Sequence, residues 1–300
     1  MPDSELSGGV PSIPRFRPIR KTVFVERAKR LLDLARGHAM QEYLLFAAAL
    51  VRAQAAELEL FSDTPVPDRA QLEHCQQHGL PPLSIDSPQS AEWQQVLLRL
   101  LNALNQKALP PQAAGVSQAL CDADAAALEQ DAANLLAGAY SEIEPGRTPF
   151  VGAALQVQWA KMALKLGEIG RSAGVDFGLC PVCGSPPVVS VVRSGGAEQG
   201  LRYLVCSLCT SEWHVVRIKC TSCASTQSVS YLFIEGSKDA VRAECCDDCK
   251  TYLKILYLDK DNHMESHADD LATLALDMLV DEKGYRRVGP NLLLSPGGQA

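Results

Sequence analysis

No stretch of this sequence reaches the roughly 18 consecutive apolar residues that a membrane-spanning helix requires, so no span is expected. The early segment Pro11-Ser-Ile-Pro-Arg-Phe-Arg-Pro-Ile-Arg-Lys21 is broken by prolines and arginines and offers no apolar core for a secretory leader. Basic excess is also missing. The 28 Lys and Arg stand against 35 Asp and Glu, a net charge of −7, which disfavours general nucleic-acid binding because that needs basic surface to displace counterions. No glycine-rich phosphate loop, nucleophile elbow or paired-acid signature stands out, so the chain is not expected to be an enzyme. The first 174 residues are poor in cysteine, holding only Cys75 and Cys121 of the eleven.

What is present reads as a globular protein. Apolar residues make up 47% and charged residues 21%, and 300 residues suffice for two or three domains with a real core. Two compositions meet near residue 175: an Ala-, Leu- and Gln-rich half, then a half with nine cysteines and many β-branched residues. The first half is expected to be a helical bundle. Thr22 is placed to cap a helix running to about Leu60, and further helices fit Gln89–Lys107, Ser117–Ala137 and Thr148–Ser172, with Asp122 and Asp124 in the first turn of the second. Breaks are marked by Thr64-Pro-Val-Pro67 and Gly79-Leu-Pro-Pro82. Phe150, Ala154, Val157, Ala160, Met162 and Leu164 form no narrow stripe, so the last of these helices should be largely buried.

Four Cys-x-x-Cys pairs follow: Cys180/Cys183, Cys206/Cys209, Cys220/Cys223 and Cys246/Cys249. The second two repeat the first two at an offset of 40 residues. The repeat extends past sulfur, for Val188–Val192 matches Ser228–Leu232, and Ser211–Val216 matches Thr251–Leu256, all extended-looking runs. Two residues between cysteines let one tight turn aim both sulfurs at a point, and a hairpin of about twenty residues brings a second turn opposite the first. Four thiolates without a cation would repel one another, so each unit is expected to fold around a metal ion. With no export signal the cysteines should be reduced and cytoplasmic, which favours metal over disulfides. Thioredoxin-like dithiols and buried free thiols account for four pairs in register less well.

Pairing within units, Cys180, Cys183, Cys206 and Cys209 as one site and Cys220, Cys223, Cys246 and Cys249 as the other, is topologically simpler than a cross-brace between units. Spacing alone admits zinc or iron, and an Fe–S cluster is a further alternative. Cys245 aligns with Val205 in the repeat and reads as a bystander; Cys75 and Cys121 should pack as small apolar residues. His74 and His78 lack a third ligand, and His214 is matched by Lys254, which argues against ligation. His263 and His267 are expected in a solvated first turn of a helix Glu265–Glu282. The segment Asp259-Lys-Asp261-Asn-His, with Asp269, Asp270, Asp277 and Asp281, is expected to form a solvated acidic face or a docking patch.

The stretch Gly200–Cys223, the run Cys246-Asp-Asp-Cys-Lys-Thr-Tyr-Leu-Lys-Ile-Leu256, the helix at Ala268–Ala272 and Gly284-Tyr285 resemble the FdhE family of formate dehydrogenase accessory proteins. The resemblance is most specific over residues 180–290 and rests on order and length in the helical half. It implies a cytoplasmic maturation factor that binds the immature catalytic subunit of a respiratory formate dehydrogenase. It also implies rubredoxin-like iron on the eight paired cysteines. A rubredoxin-like iron electron carrier and a zinc-ribbon nucleic-acid binder are the alternatives. One departure from the rubredoxin pattern is visible, since only Cys183 is followed by glycine, whereas Thr210, Ala224 and Lys250 follow the other three pairs.

The expected fold is α+β and multidomain: an N-terminal all-α helical domain, two tandem rubredoxin-like or zinc-ribbon modules and a C-terminal helix. The expected boundaries are an irregular segment 1–21, helical domain 22–174, modules 175–217 and 218–260, and helix and tail 261–300.

Overall fold

The computed structural model describes residues 13–60, 64–86, 92–105, 109–144, 146–167, 178–235 and 239–294. Parts of the expected segments 1–21, 89–107 and 148–172, the junction at 174/175 and the tail lie partly or wholly outside them.

In the first half, apolar residues at helical spacing build seven α-helices among the described residues. Helix α1 (Val23–Ala35) buries Phe24, Arg27, Ala28, Leu31 and Ala35 along one face and packs on α2 (Gln41–Leu58). The expected single helix to Leu60 is thus two, because Gly37 takes a left-handed conformation (φ +70°) between them. Thr22 is the N-cap of α1, its carbonyl accepting from the Glu26 N–H at 2.9 Å, while its hydroxyl makes no capping bond and donates to the Glu26 carboxylate. Between the two expected breaks lies a helix that sequence reading passed over, α3 (Arg69–His78). Asp68 and Gln71 close a reciprocal capping box at its start, and Gly79 ends it at φ +66°. Helix α4 (Glu92–Asn105) carries the stripe Trp93, Val96, Leu97, Leu100, Leu101 and Leu104.

The expected helix 117–137 is also two, α5 (Pro111–Cys121) and α6 (Ala125–Ala137). Asp122 closes the first, and Asp124 caps the second by accepting from the Ala127 N–H. Helix α7 (Arg147–Leu166) is buried nearly all round, as its missing stripe predicts, and packs against α2, α4, α5 and α6. Gly152 is required there: a Cβ would lie 2.7 Å from the Leu292 carbonyl oxygen.

The second half forms one mixed sheet. Strands β2 (Pro187–Val192), β3 (Arg202–Cys206) and β4 (Glu212–Val215) make an antiparallel meander, as do β5 (Val229–Leu232), β6 (Val241–Cys246) and β7 (Thr251–Tyr257). The two meanders are the 40-residue repeat in three dimensions. They join through parallel pairing of β2 with β7, so the tandem modules share a continuous sheet. One edge is extended by β1 (Phe16–Arg17) on β4, the other edge is β5, and β8 (Arg286–Arg287) pairs parallel with the start of β7 beyond the β2 pairing.

The expected C-terminal helix breaks at Thr273 into α8 (Ser266–Ala272) and α9 (Leu274–Asp281). Helix α8 packs between α1 and β2, joining bundle and sheet. Among the described residues, no helix is long and apolar enough to cross a membrane.

Candidate metal centres

Each cysteine pair sits on a tight turn of the same design. The residue after the second cysteine has positive φ in all four: Gly184 (+81°), Thr210 (+59°), Ala224 (+64°) and Lys250 (+54°). In three of them the N–H of that residue donates to the carbonyl of the first cysteine: Gly184 to Cys180 at 2.8 Å, Ala224 to Cys220 at 3.1 Å and Lys250 to Cys246 at 2.9 Å. The glycine absent from three turns is therefore missed only energetically, since a non-glycine residue in this region costs roughly 1–2 kcal/mol. The turns also aim amides at sulfur. The Leu208 and Cys209 N–H groups lie 3.4 and 3.3 Å from Cys206 Sγ, and the Ser222 N–H lies 3.4 Å from Cys220 Sγ.

The hairpins then bring the turns together within units and not across them. Cys180, Cys183, Cys206 and Cys209 form one set and Cys220, Cys223, Cys246 and Cys249 the other, with sulfurs within 4.8 Å of one another in each. Cross-turn Sγ···Sγ distances are 3.5 Å (Cys180–Cys209), 3.4 Å (Cys183–Cys206), and 3.6 Å for both Cys220–Cys249 and Cys223–Cys246. A disulfide needs about 2.05 Å. A tetrahedron with metal–sulfur bonds near 2.3 Å has edges of about 3.8 Å, so both sets fit a single soft cation.

The thiol chemistry agrees. Burial pushes the Cys180 and Cys206 thiols well up, while hydrogen bonds from Cys180, Cys206, Cys209 and Ser185 overcome burial at Cys183 and hold it well down. In the second set burial lifts Cys220 to about 12; at Cys249 it is outweighed by Thr251 and the neighbouring thiols, and that group falls to about 7. Sulfurs this close cannot all carry negative charge unaided, and a bound cation would let them.

These turns and modules are shared with known proteins. Models of the FdhE N-terminal, central and C-terminal domains match residues 13–172, 179–217 and 218–294 in order. This chain belongs to the FdhE family. Among its relatives, the Protein FdhE homolog of Pseudomonas aeruginosa is 40% identical over 98% of this chain and 96% of its own length. Protein FdhE of Escherichia coli K12 is 40% identical over 95% and 92%. The crystal structure of the FdhE protein from Pseudomonas aeruginosa superimposes with a TM-score of 0.85 at 39% identity, covering 95% of this chain and all of that one.

In this FdhE chain the first centre is embedded in the bundle. Leu83 and Ile85 N–H groups donate to the carbonyls of Val182 and Cys183 at 2.8 and 3.1 Å, and Trp159 fixes that segment by donating to Leu83. On the other turn, the Gln156 amide donates to the Ser207 carbonyl at 2.8 Å. Arg27 donates to Glu265, Gln156 and His267 Nδ1, which leaves the His267 Nε2–H to face the same carbonyl at 3.4 Å. Burial and the Arg27 charge lower the His267 pKa, consistent with that neutral tautomer.

Two expectations about the C-terminal region are corrected by this packing. His267 is fully buried against the first centre rather than solvated, although His263 is exposed. Asp269, Asp270 and Asp277 do not form an acidic face. Asp261 and Asp269 pair with Arg30, while Asp270 and Asp277 both pair with Lys254 and Arg287; of the six, Asp259 and Asp281 are exposed. The visible signal for such burial was Arg27 itself, a charge at an apolar-face position of α1.

The remaining candidates behave modestly. Cys245 points away from its neighbour's site into a cluster with Ala243, Tyr252, Leu276 and Val280. Cys121 packs half-buried on the main core, and Cys75 is half-buried. The His74 and His78 rings lie against one another at a tilt, and among the described residues no third donor joins them. His214 packs edge-on to Tyr203.

Proposed function

We propose that this chain is a cytoplasmic accessory protein for assembly of a respiratory formate dehydrogenase. It binds the immature catalytic subunit through a surface organised by the two four-cysteine centres, and turns over no substrate itself. The observation that carries this reading is a pair of four-sulfur cages built into one sheet. Membership of the FdhE family supports the class of partner. The metal at both sites is iron by that resemblance, and zinc fits the same sulfur geometry. The acidic balance of −7 weighs against a nucleic-acid partner.

Co-purification with the catalytic subunit tests the partner directly. Cells lacking this chain should accumulate catalytic subunit without formate dehydrogenase activity; normal activity in them ends the proposal. Metal content per chain and a visible spectrum, measured on material purified without oxygen, decide iron against zinc.

A second reading is favoured by the amide groups directed at Cys206 and Cys220: a rubredoxin-like iron electron carrier. It requires a visible band that bleaches reversibly at a defined potential. A colourless, redox-silent protein excludes it.

A further inference from the structure

The two centres share one design but not one environment. At the first, all four cysteines are fully buried, and the main core that encloses them includes Leu208, Leu204 and Leu83. Its turns are gripped from outside the module, by Leu83, Ile85 and Gln156. At the second, Cys220 and Cys246 are buried, Cys223 is exposed and Cys249 is half-buried. The bonds that brace its turns also lie at the surface: Ser228 to Asp248 at 2.7 Å, Thr251 to Ser222 at 3.1 Å and Tyr285 to Asp247 at 2.8 Å. Water competes for such bonds, so local opening there is cheaper than in the core.

We infer that the second centre is an exchange site for a soft divalent cation, reached through Cys223, whereas the first is a permanent staple of the fold. This rests on the reading that both sets hold a cation. Exchange needs a donor from solvent or from a partner protein to bond the cation as the Cys223 Sγ–metal bond breaks. Both bonding electrons stay on sulfur, the freed thiolate takes a proton from water, and no oxidation state changes. At the first centre the same attack must wait for the bundle to open, because no sulfur there meets solvent.

The test uses the full chain loaded with zinc and challenged with excess 4-(2-pyridylazo)resorcinol, which reports free zinc by colour. Two zinc ions per chain should leave in two phases, the first at least tenfold faster than the second. Iodoacetamide pulses during the fast phase, followed by peptide mapping, should label Cys223 and Cys249 while Cys180, Cys183, Cys206 and Cys209 stay protected. Fewer than two zinc ions per chain at the outset defeats the two-centre reading. Two ions leaving in one phase, or a fast phase that labels the first set, overturns the inference while leaving that reading intact. Cys223→Ser should remove the fast phase and keep the slow one; a persisting fast equivalent also overturns it. Because labelling order is read on the unaltered chain, the result does not depend on that variant folding.

Discussion

The Gln156 side-chain amide, at the middle of the most buried helix, donates to the Ser207 carbonyl 2.8 Å away, inside the turn between Cys206 and Cys209. Bundle and first centre are therefore one structural unit. Gln156→Leu preserves bulk but strands that carbonyl with the longer His267 contact, and leaving a buried acceptor poorly paired costs about 1–3 kcal/mol. Urea unfolding of the zinc-loaded chain should show a lower midpoint by a corresponding amount. Zinc release from the first centre should quicken while release from the second is unchanged. An unaltered midpoint would show that the turn holds itself.

The four turns make a second expectation. Ala224 adopts φ +64° where Gly184 adopts +81° in the repeat. Ala224→Gly relieves the left-handed strain but frees the unfolded chain, so it should be neutral or stabilising by up to about 1 kcal/mol. Gly184→Ala should destabilise by roughly 1–2 kcal/mol, since its Cβ has ordinary room (3.4 Å from Pro81) but the wrong backbone conformation. Thermal unfolding of the two variants should move in opposite directions or, at least, by clearly different amounts.

Much of this was legible in the residues. The 40-residue repeat announced itself because cysteine is rare and its spacing is dictated by turn geometry, and the strands of both meanders follow the same offset. The unstriped α7 was legible as a central helix for the same reason, that periodicity reports how many faces are covered. Helix breaks were less so: Gly37 and Asp124 each act through one local conformation that a long apolar run hides. The buried charges were legible only through Arg27, a charge at an apolar-face position of α1. Asp270 and Asp277 look like surface residues until Lys254, fully buried on β7, and Arg287 arrive from other strands to neutralise them. Which centre is buried was hidden likewise, because it depends on the 83–85 segment and α7 closing over one module only.

The adjacent thiols at 245 and 246 separate cleanly. They point to opposite faces of β6, Cys245 toward Tyr252 and Val280, Cys246 toward Cys223. Cys245→Ser should retain two cations per chain, with a modest loss of stability from a hydroxyl in an apolar cluster. Cys246→Ser should lose one. Metal analysis of the two variants, purified in parallel, checks both; loss of a cation from Cys245→Ser would mean that the two sulfurs exchange as ligands.

Acid should find Glu265 through its partners. Burial tends to raise its pKa, but the Arg27 charge, the His267 contact and the Ala268 N–H outweigh it and bring the group from 4.5 to about 2. The folded state therefore holds this carboxylate ionised where the unfolded chain would protonate it. Its stabilisation is complete above about pH 4.5 and drains away as pH falls towards 2, by at most about 1.4 kcal/mol per pH unit. Glu265→Gln keeps the shape but cannot ionise. Cysteine protonation and metal loss act on both chains, and Asp269 and His267, which contact Glu265, titrate mostly above pH 4.5, so below that pH the difference between the urea-unfolding free energies reports chiefly the carboxylate. That difference should shrink steadily as pH falls below 4.5. A gap that stays constant down to the lowest pH at which both chains fold would mean that Arg27 does not hold Glu265 as its counter-ion, and the grip of α1 on the first centre would have to come from packing alone.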